Sequence, residues 1–536
     1  MACSINCAWR RYSYCYLLLT VVSMVVLGSQ HCYGFGTFGF DVHHRYSDPV
    51  KEVLDLHGLP EKGSVDYYAA MAHRDRLVWE RKLAGTSAAS SPPLTFAYGN
   101  ETHRISGLGF LHYANVSVGS PGSWFLVALD TGSDLFWLPC DCKSCVLALN
   151  TSTGRVIDLN IYSPNKSSTS KNVPCSSNLC EKPRQCSLKY NSCAYEVQYL
   201  SANTSSSGLL VEDVLHLITD DTQPSVVDAR VPLGCGIIQT GSFLDGAAPN
   251  GLFGLGMDNV SVPSVLAKEG LAANSFSMCF PSKGVGRINF GDKGSSRQSE
   301  TSFNLKQSHP TYNVSVTQIS VGNNVTDLSI GAIFDSGTSF TYLNEPAYSA
   351  IAESFNSLVK EKRHQSDDQI PFEYCYDLSA SQDSSDIPPI NLTMKGGKQF
   401  YVFDPIILIK LINIQGEGYL YCLAVVKSED INIIGQNFMT GYRIVFDRER
   451  MVLGWESSDC YNDNHSNTLP IDRGNNSVVP PTSSVQPEAT SNGSPIPNPV
   501  SPPPPASDAP SLNSFSFATF LVIFSFFINF YAIPSL

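Results

Sequence analysis

Charged side chains are scarce in this chain: Asp, Glu, Lys and Arg make up 15% of its 536 residues, against 43% hydrophobic. Basic residues are the rarer sign, 35 against 48 acidic, which leaves a formal net charge of −13. A chain so poor in cations offers no broad basic face for phosphate, so nucleic acid is excluded as its partner. Two hydrolase signatures are also missing. There is no HExxH zinc helix and no GxSxG nucleophile elbow. Ser336 lies in a motif with the look of a nucleophile turn, but no histidine partner is indicated for it.

What is present first defines the ends. Arg10 and Arg11 precede an apolar run from Tyr14 to Leu27 and then small residues. This reads as a signal peptide over residues 1–34, cleaved after Gly34 or Gly28, with a signal anchor as the alternative. Residues 461–513 are rich in Pro, Ser, Asn and Thr, and read as an extended stalk. The apolar tail 514–536 is followed by no basic residue, and the small residues Ser507, Asp508 and Ala509 lie ahead of it. That layout reads as a glycosylphosphatidylinositol (GPI) attachment signal with Ser507 as the anchored residue. A C-terminal transmembrane helix is the alternative, because about 20 residues can span a bilayer.

Cysteine usage fits the secretory route. Four of the 16 cysteines fall in the signal, and the remaining twelve form an even set that reads as six disulfides. The cluster CDCKSC (residues 140–145) keeps a zinc alternative open, since closely spaced thiolates are good ligands. Twelve Asn-x-Ser/Thr sequons add to this reading: Asn100, Asn115, Asn150, Asn165, Asn203, Asn259, Asn313, Asn324, Asn391, Asn464, Asn475 and Asn492. Residues 41–86 stand apart. They carry no cysteine, a high density of His, Arg, Lys and Glu, and a stretch from Tyr67 to Leu83 with the spacing of an amphipathic helix. Residues 35–94 therefore read as a pro-segment, with a plain N-terminal helical extension as the alternative.

From about residue 95 to 460 the pattern is short strands between Gly and Ser turns, a mostly β body. Within it the sequence repeats. LVALDTGS (126–133) returns as GAIFDSGTS (331–339), and each copy is followed by an apolar pair before glycine, in GLFGLG (251–256) and INIIGQ (431–436). Both motifs drive an apolar strand into an aspartate and then turn at a glycine. A buried carboxylate is costly unless it is hydrogen-bonded or put to use. If the two lobes bring Asp130 and Asp335 together, the carboxylates share one proton and titrate as a unit. One then takes a proton from a water between them while the other protonates the scissile carbonyl oxygen. The hydroxyls of Thr131, Ser133, Ser336 and Thr338 are placed to hold the pair. The alternative is that both motifs are only Asx-type turns ending strands.

These paired motifs, the following FWL and the stretch IIGQNFMTGYRIVFD resemble the pepsin-like aspartic endopeptidases. The cysteine-dense insert between 140 and 193 resembles the nepenthesin-type branch common in plants, as does the anchor-like tail. The resemblance implies an all-β-dominated, bilobal fold with the active-site cleft between an N-terminal lobe (95–300) and a C-terminal lobe (301–460). It implies Asp130 and Asp335 as the catalytic dyad, Ser133 and Thr338 as the hydroxyls orienting them, and a flap tyrosine hydrogen-bonded to Trp137. Tyr199 is the best match for that tyrosine, with Tyr195 as a packing residue beneath. The flap departs from the family pattern: YLSANTSSSG has no glycine before Gly208.

Six disulfides follow from the same resemblance: Cys140–Cys142, Cys145–Cys235, Cys175–Cys193, Cys180–Cys186, Cys279–Cys460 and Cys375–Cys422. So does a zymogen whose pro-segment reaches the dyad through basic and histidine side chains. Protein or peptide substrates, no cofactor, no metal, a monomeric chain and a place on the outer face of the plasma membrane complete the expectation. The competing reading is a catalytically weak pepsin-fold glycoprotein that binds other molecules at the cell surface.

Overall fold

The computed structural model describes residues 37–44, Ser47, parts of 64–75, and 111–460 apart from short loops. The signal, stalk, anchor tail and Ser507 lie outside the described residues, as do Asn100, Asn203, Asn464, Asn475 and Asn492.

Strands dominate, and they form two related lobes. In the first, Ser123–Asp130 pairs antiparallel with His112–Val118 and parallel with Leu252–Gly254. Its alternate residues Phe125, Val127 and Leu129 face one core and Leu126 and Ala128 another, so the strand is buried on both faces. In the second lobe Asn324–Phe334 pairs parallel with Ile433–Ile434, joining Phe334 to Ile434. The apolar pairs downstream of each motif are thus the parallel neighbours of the aspartate strands. Glycine follows each pair because the chain crosses itself there. A Cβ on Gly254 would lie 2.3 Å from the Asp134 carbonyl carbon, and one on Gly435 would lie 2.1 Å from the Phe340 oxygen.

Phe38–His44, inside the expected pro-segment, is a strand of the main sheet. It pairs with Gly286–Phe290 and, at His43 and His44, with Tyr113 and His112. Phe38 and Val42 belong to the large core, and burying two such side chains is worth ~1.5–3 kcal/mol each. A buried ion pair between Asp41 and Arg287 (3.3 Å) fixes its register.

The disulfides require corrections. The structure joins Cys140 to Cys235 and Cys142 to Cys145, in place of Cys140–Cys142 and Cys145–Cys235. Cys140 is fully buried in Trp137–Ser144, which runs parallel to Val226–Gln239, and the Cα atoms of Cys140 and Cys235 are 4.9 Å apart. A cross-strand partner at that distance is nearer than a residue two positions along the same extended strand. All three sulfurs of the CDCKSC cluster are thereby oxidised, which leaves no thiolate for zinc. Likewise Cys175 joins Cys186 and Cys180 joins Cys193, in place of Cys175–Cys193 and Cys180–Cys186. Cys186 and Cys193 face each other across a short hairpin, and each takes a different partner from the 175–180 turn. Cys279–Cys460 and Cys375–Cys422 are joined as the resemblance implies.

Of the described sequons, Asn165, Asn259 and Asn324 are exposed, while Asn115, Asn313 and Asn391 are half-buried on strands. Asn150 also lies on a strand.

Candidate active site

The two aspartates end equivalent strands on equivalent loops. In each, the glycine N–H two residues on donates to the inner carboxylate oxygen: Gly132 to Asp130 Oδ1 and Gly337 to Asp335 Oδ1, both at 2.9 Å. Each loop is then closed by a crossing backbone. Gly256 N–H donates to the Ser133 carbonyl and Gln436 N–H to the Thr338 carbonyl, both at 2.8 Å. The loops meet. Thr131 Oγ1 of the first donates to Asp335 Oδ1 of the second (3.3 Å). A Cβ placed on Gly337 would lie 3.1 Å from Asp335 Oδ1 and 3.9 Å from Asp130 Oδ1, so glycine there lets the carboxylates converge. The Asx-turn alternative explains each loop alone and leaves this convergence unexplained.

The hydroxyls differ between the loops. Thr338 Oγ1 donates to Asp335 Oδ2 at 2.6 Å, a short charge-assisted bond. Ser133 Oγ, expected to do the same for Asp130, is buried without a hydrogen-bond partner among the described residues. Its influence is on the Tyr199 phenol, whose ionisation it favours slightly. The bond from Ser133 to Asp130 that the resemblance implies is thus not formed among the described residues.

The flap is the hairpin of Ser192–Tyr199 and Thr204–Ile218. Trp137 Nε1 donates to the Tyr199 hydroxyl at 2.7 Å. Phe243, which sequence reading missed, packs edge-on against both rings, with centroids 4.9 and 5.0 Å away. Burial pushes the Tyr199 phenol well above its ordinary range, and the Asp130 charge adds to the shift, so it stays a neutral hydroxyl. Tyr195 lies beneath, bonded to Ser206 Oγ (2.9 Å), with its ring filling the space a side chain on Gly234 would need.

One further group was not foreseen. The completely buried Asp75, from the N-terminal segment, reaches the second aspartate loop and accepts hydrogen bonds from Ser339 and its neighbours. The basic and histidine residues beside it, His73, Arg74 and Arg76, lie outside the described residues.

Comparisons with known proteins give the family and the fold. Family profiles described as xylanase inhibitor N-terminal and C-terminal match residues 112–292 and 311–457. The Arabidopsis thaliana "Aspartyl protease family protein 1" is 56% identical over 492 residues, covering 91% of this chain and 94% of that protein. The chain belongs to the plant aspartyl protease family. "Aspartic proteinase-like protein 1" of the same plant, another member, is 39% identical and covers 84% of this chain and 90% of its own length. Solved structures share the fold at lower identity. Conglutin gamma, a basic 7S globulin from lupine seeds, matches with a TM-score of 0.51 at 19% identity, covering 66% of this chain and 92% of that one. Soybean basic 7S globulin matches at 0.50 and 20%, covering 66% and 93%.

Proposed function

We propose that this family member is an active aspartic endopeptidase, hydrolysing peptide bonds of protein substrates at acidic pH without cofactor or metal. The observation that carries this reading is the meeting of two intact aspartate loops, tied by the Thr131–Asp335 bond. A water between the carboxylates loses a proton to the ionised one and attacks the scissile carbonyl. The protonated carboxyl donates to the carbonyl oxygen, and the proton gained from water passes to the leaving amine. Tyr199, held by Trp137, covers the substrate from the flap.

The chain reaches its site, on this proposal, as a monomeric zymogen through the secretory pathway. It remains on the outer face of the plasma membrane through a lipid attached near Ser507, with simple secretion or a C-terminal membrane helix as the alternatives. Buried His43 supports activation by acid. Burial lowers its pKa from 6.5 to about 4, and it sits opposite Tyr113 beside the His44–His112 ring contact. A base with a lowered folded pKa contributes stability above its unfolded pKa, and this is lost as pH falls from 6.5 toward 4. Acid therefore loosens the Phe38–His44 strand of the pro-segment.

The binding-glycoprotein reading has one observation in its favour: the dyad loop is already occupied by the chain's own Asp75. A peptide-library digest at pH 4, with and without a statine-type inhibitor, separates the two. Inhibitor-sensitive cleavage is expected, and its absence from acid-treated protein would leave the binding reading. Release from cells by a phosphatidylinositol-specific phospholipase checks the anchor.

A further inference from the structure

The N-terminal segment seats a carboxylate beside the catalytic loop. Residues 65–69, 71, 72 and 75 are helical, and their spacing puts Tyr67, Met71 and Asp75 on one face, four residues apart. The apolar part of that face is buried with Phe340, Tyr342, Ile370 and Phe372, and the next residue, Tyr68, packs on the rings of Phe340 and Phe372. At the end of the row Asp75 is 0% exposed. Its carboxylate accepts from Ser339 N–H (2.9 Å), Ser339 Oγ (3.0 Å), Phe340 N–H (3.2 Å) and the Tyr342 hydroxyl (3.3 Å). Four donors converging on one carboxylate are a built recognition site, and Ser339 is four residues past the catalytic Asp335.

The repeat shows that this site is particular to the second lobe. Four residues past Asp130 stands Asp134, an acid whose Oδ1 accepts the N–H of Asp258 within its own lobe (2.8 Å). The first loop supplies its own carboxylate. The second has a hydroxyl at that position and takes a carboxylate from another part of the chain.

We propose that Ser339, Phe340 and Tyr342 form a carboxylate-recognition subsite of the active site. Asp75 fills it in the full-length chain. An acidic side chain of the substrate fills it once the 64–75 segment has left, and the rings of Phe340 and Phe372 line the approach. Segment and substrate then compete for the same donors, so the contact that holds the zymogen closed also sets the enzyme's preference for acidic sequences. The substrate half rests on the endopeptidase reading above.

Two measurements on the whole protein test this. In a full-length chain carrying Asp130→Asn, which cannot process itself, amide exchange at residues 65–72 should speed at least tenfold with Asp75→Ala and by less with Asp75→Asn. Protection of the Phe125–Leu129 amides serves as the check on folding. Unchanged protection at 65–72 would overturn the seat. The acid-processed wild-type protein is then given peptide pairs differing only in Asp against Asn, at pH 5, where an ordinary Asp side chain is ionised. The acidic member should be cleaved with a roughly tenfold higher kcat/KM at one fixed position from the scissile bond. That ratio should collapse in Tyr342→Phe and Ser339→Ala. Cleavage without acidic preference overturns the subsite and leaves the endopeptidase standing. No cleavage at all, beside Asp75-dependent protection, sinks the endopeptidase and the substrate half with it, leaving only the carboxylate seat.

Discussion

The loops after Asp130 and Asp335 share a backbone and differ in the polar groups around it. Both use a glycine N–H on the inner carboxylate oxygen and a crossing strand to close the turn. The second carboxylate is held by two hydroxyl donors, Thr338 and Thr131, and is buried, whereas Asp130 is half-buried and takes no hydrogen bond from Ser133 among the described residues. Backbone geometry survived the divergence of the lobes because it brings the carboxylates together. The hydroxyls around it differ: Thr338 serves its own aspartate and Ser339 the N-terminal segment, while Ser133 makes no hydrogen bond among the described residues.

The shared part should show the largest effects. Asp130→Asn and Asp335→Asn each keep the shape of the loop and remove a proton acceptor or donor from the reaction. Each should lower kcat on a denatured protein by at least about a thousandfold, the upper range for general acid–base groups, with little change in thermal unfolding. Substantial activity left in either variant would break the equivalence of the two loops.

The next prediction concerns the part that differs. Thr338→Ala removes a charge-assisted bond worth ~1.5–3 kcal/mol, so kcat should fall roughly 10- to 100-fold, and Thr338→Ser should restore most of it. Ser133→Ala removes no hydrogen bond and should cost less than a tenth of that. Equal losses in the two alanine variants would mean that Ser133 turns to Asp130 when substrate binds.

A smaller effect belongs to the flap side. Tyr199→Phe deletes the acceptor of the Trp137 N–H, at a cost of ~1 kcal/mol. That corresponds to about a fivefold loss in kcat/KM on peptides. If the loss falls only on KM, the flap binds substrate; if on kcat, it also positions the carbonyl.

The parts legible in the sequence were those with a fixed local spacing. An apolar strand, an acid and a glycine in the next two places specify the Asp130 and Asp335 loops, and the apolar pair before Gly254 or Gly435 marks the strand alongside. The pairing of Cys140, Cys142 and Cys145 was not legible, because it depends on Val226–Gln239 running parallel to their strand, a contact between residues nearly a hundred positions apart. Asp75 was hidden differently. It stands among exposed-looking charges in HRDR, and only the four-residue steps from Tyr67 and Met71 put it on the buried face. That periodicity was available, but composition drew attention to the basic residues instead.

The smallest predicted effect probes the position where the loops carry opposite chemistry, Asp134 against Ser339. Burial raises the Asp134 pKa above 3.8, the Asp258 N–H opposes the shift, and the Asp258 and Asp130 charges add to it while Arg448 opposes it. An acid with a raised folded pKa contributes stability while it is protonated, and that contribution is lost as pH rises through the folded value. Asp134→Asn retains an oxygen to accept the Asp258 N–H and cannot ionise. Its Tm should therefore exceed that of the wild type at pH 7, and the gap should close as pH falls toward 3.8. Differential scanning calorimetry across that range checks the sign. A lower Tm for the variant at pH 7 would show that the first loop needs a charged acid, and the contrast with the serine of the second loop would then be one of charge rather than of hydrogen-bond direction.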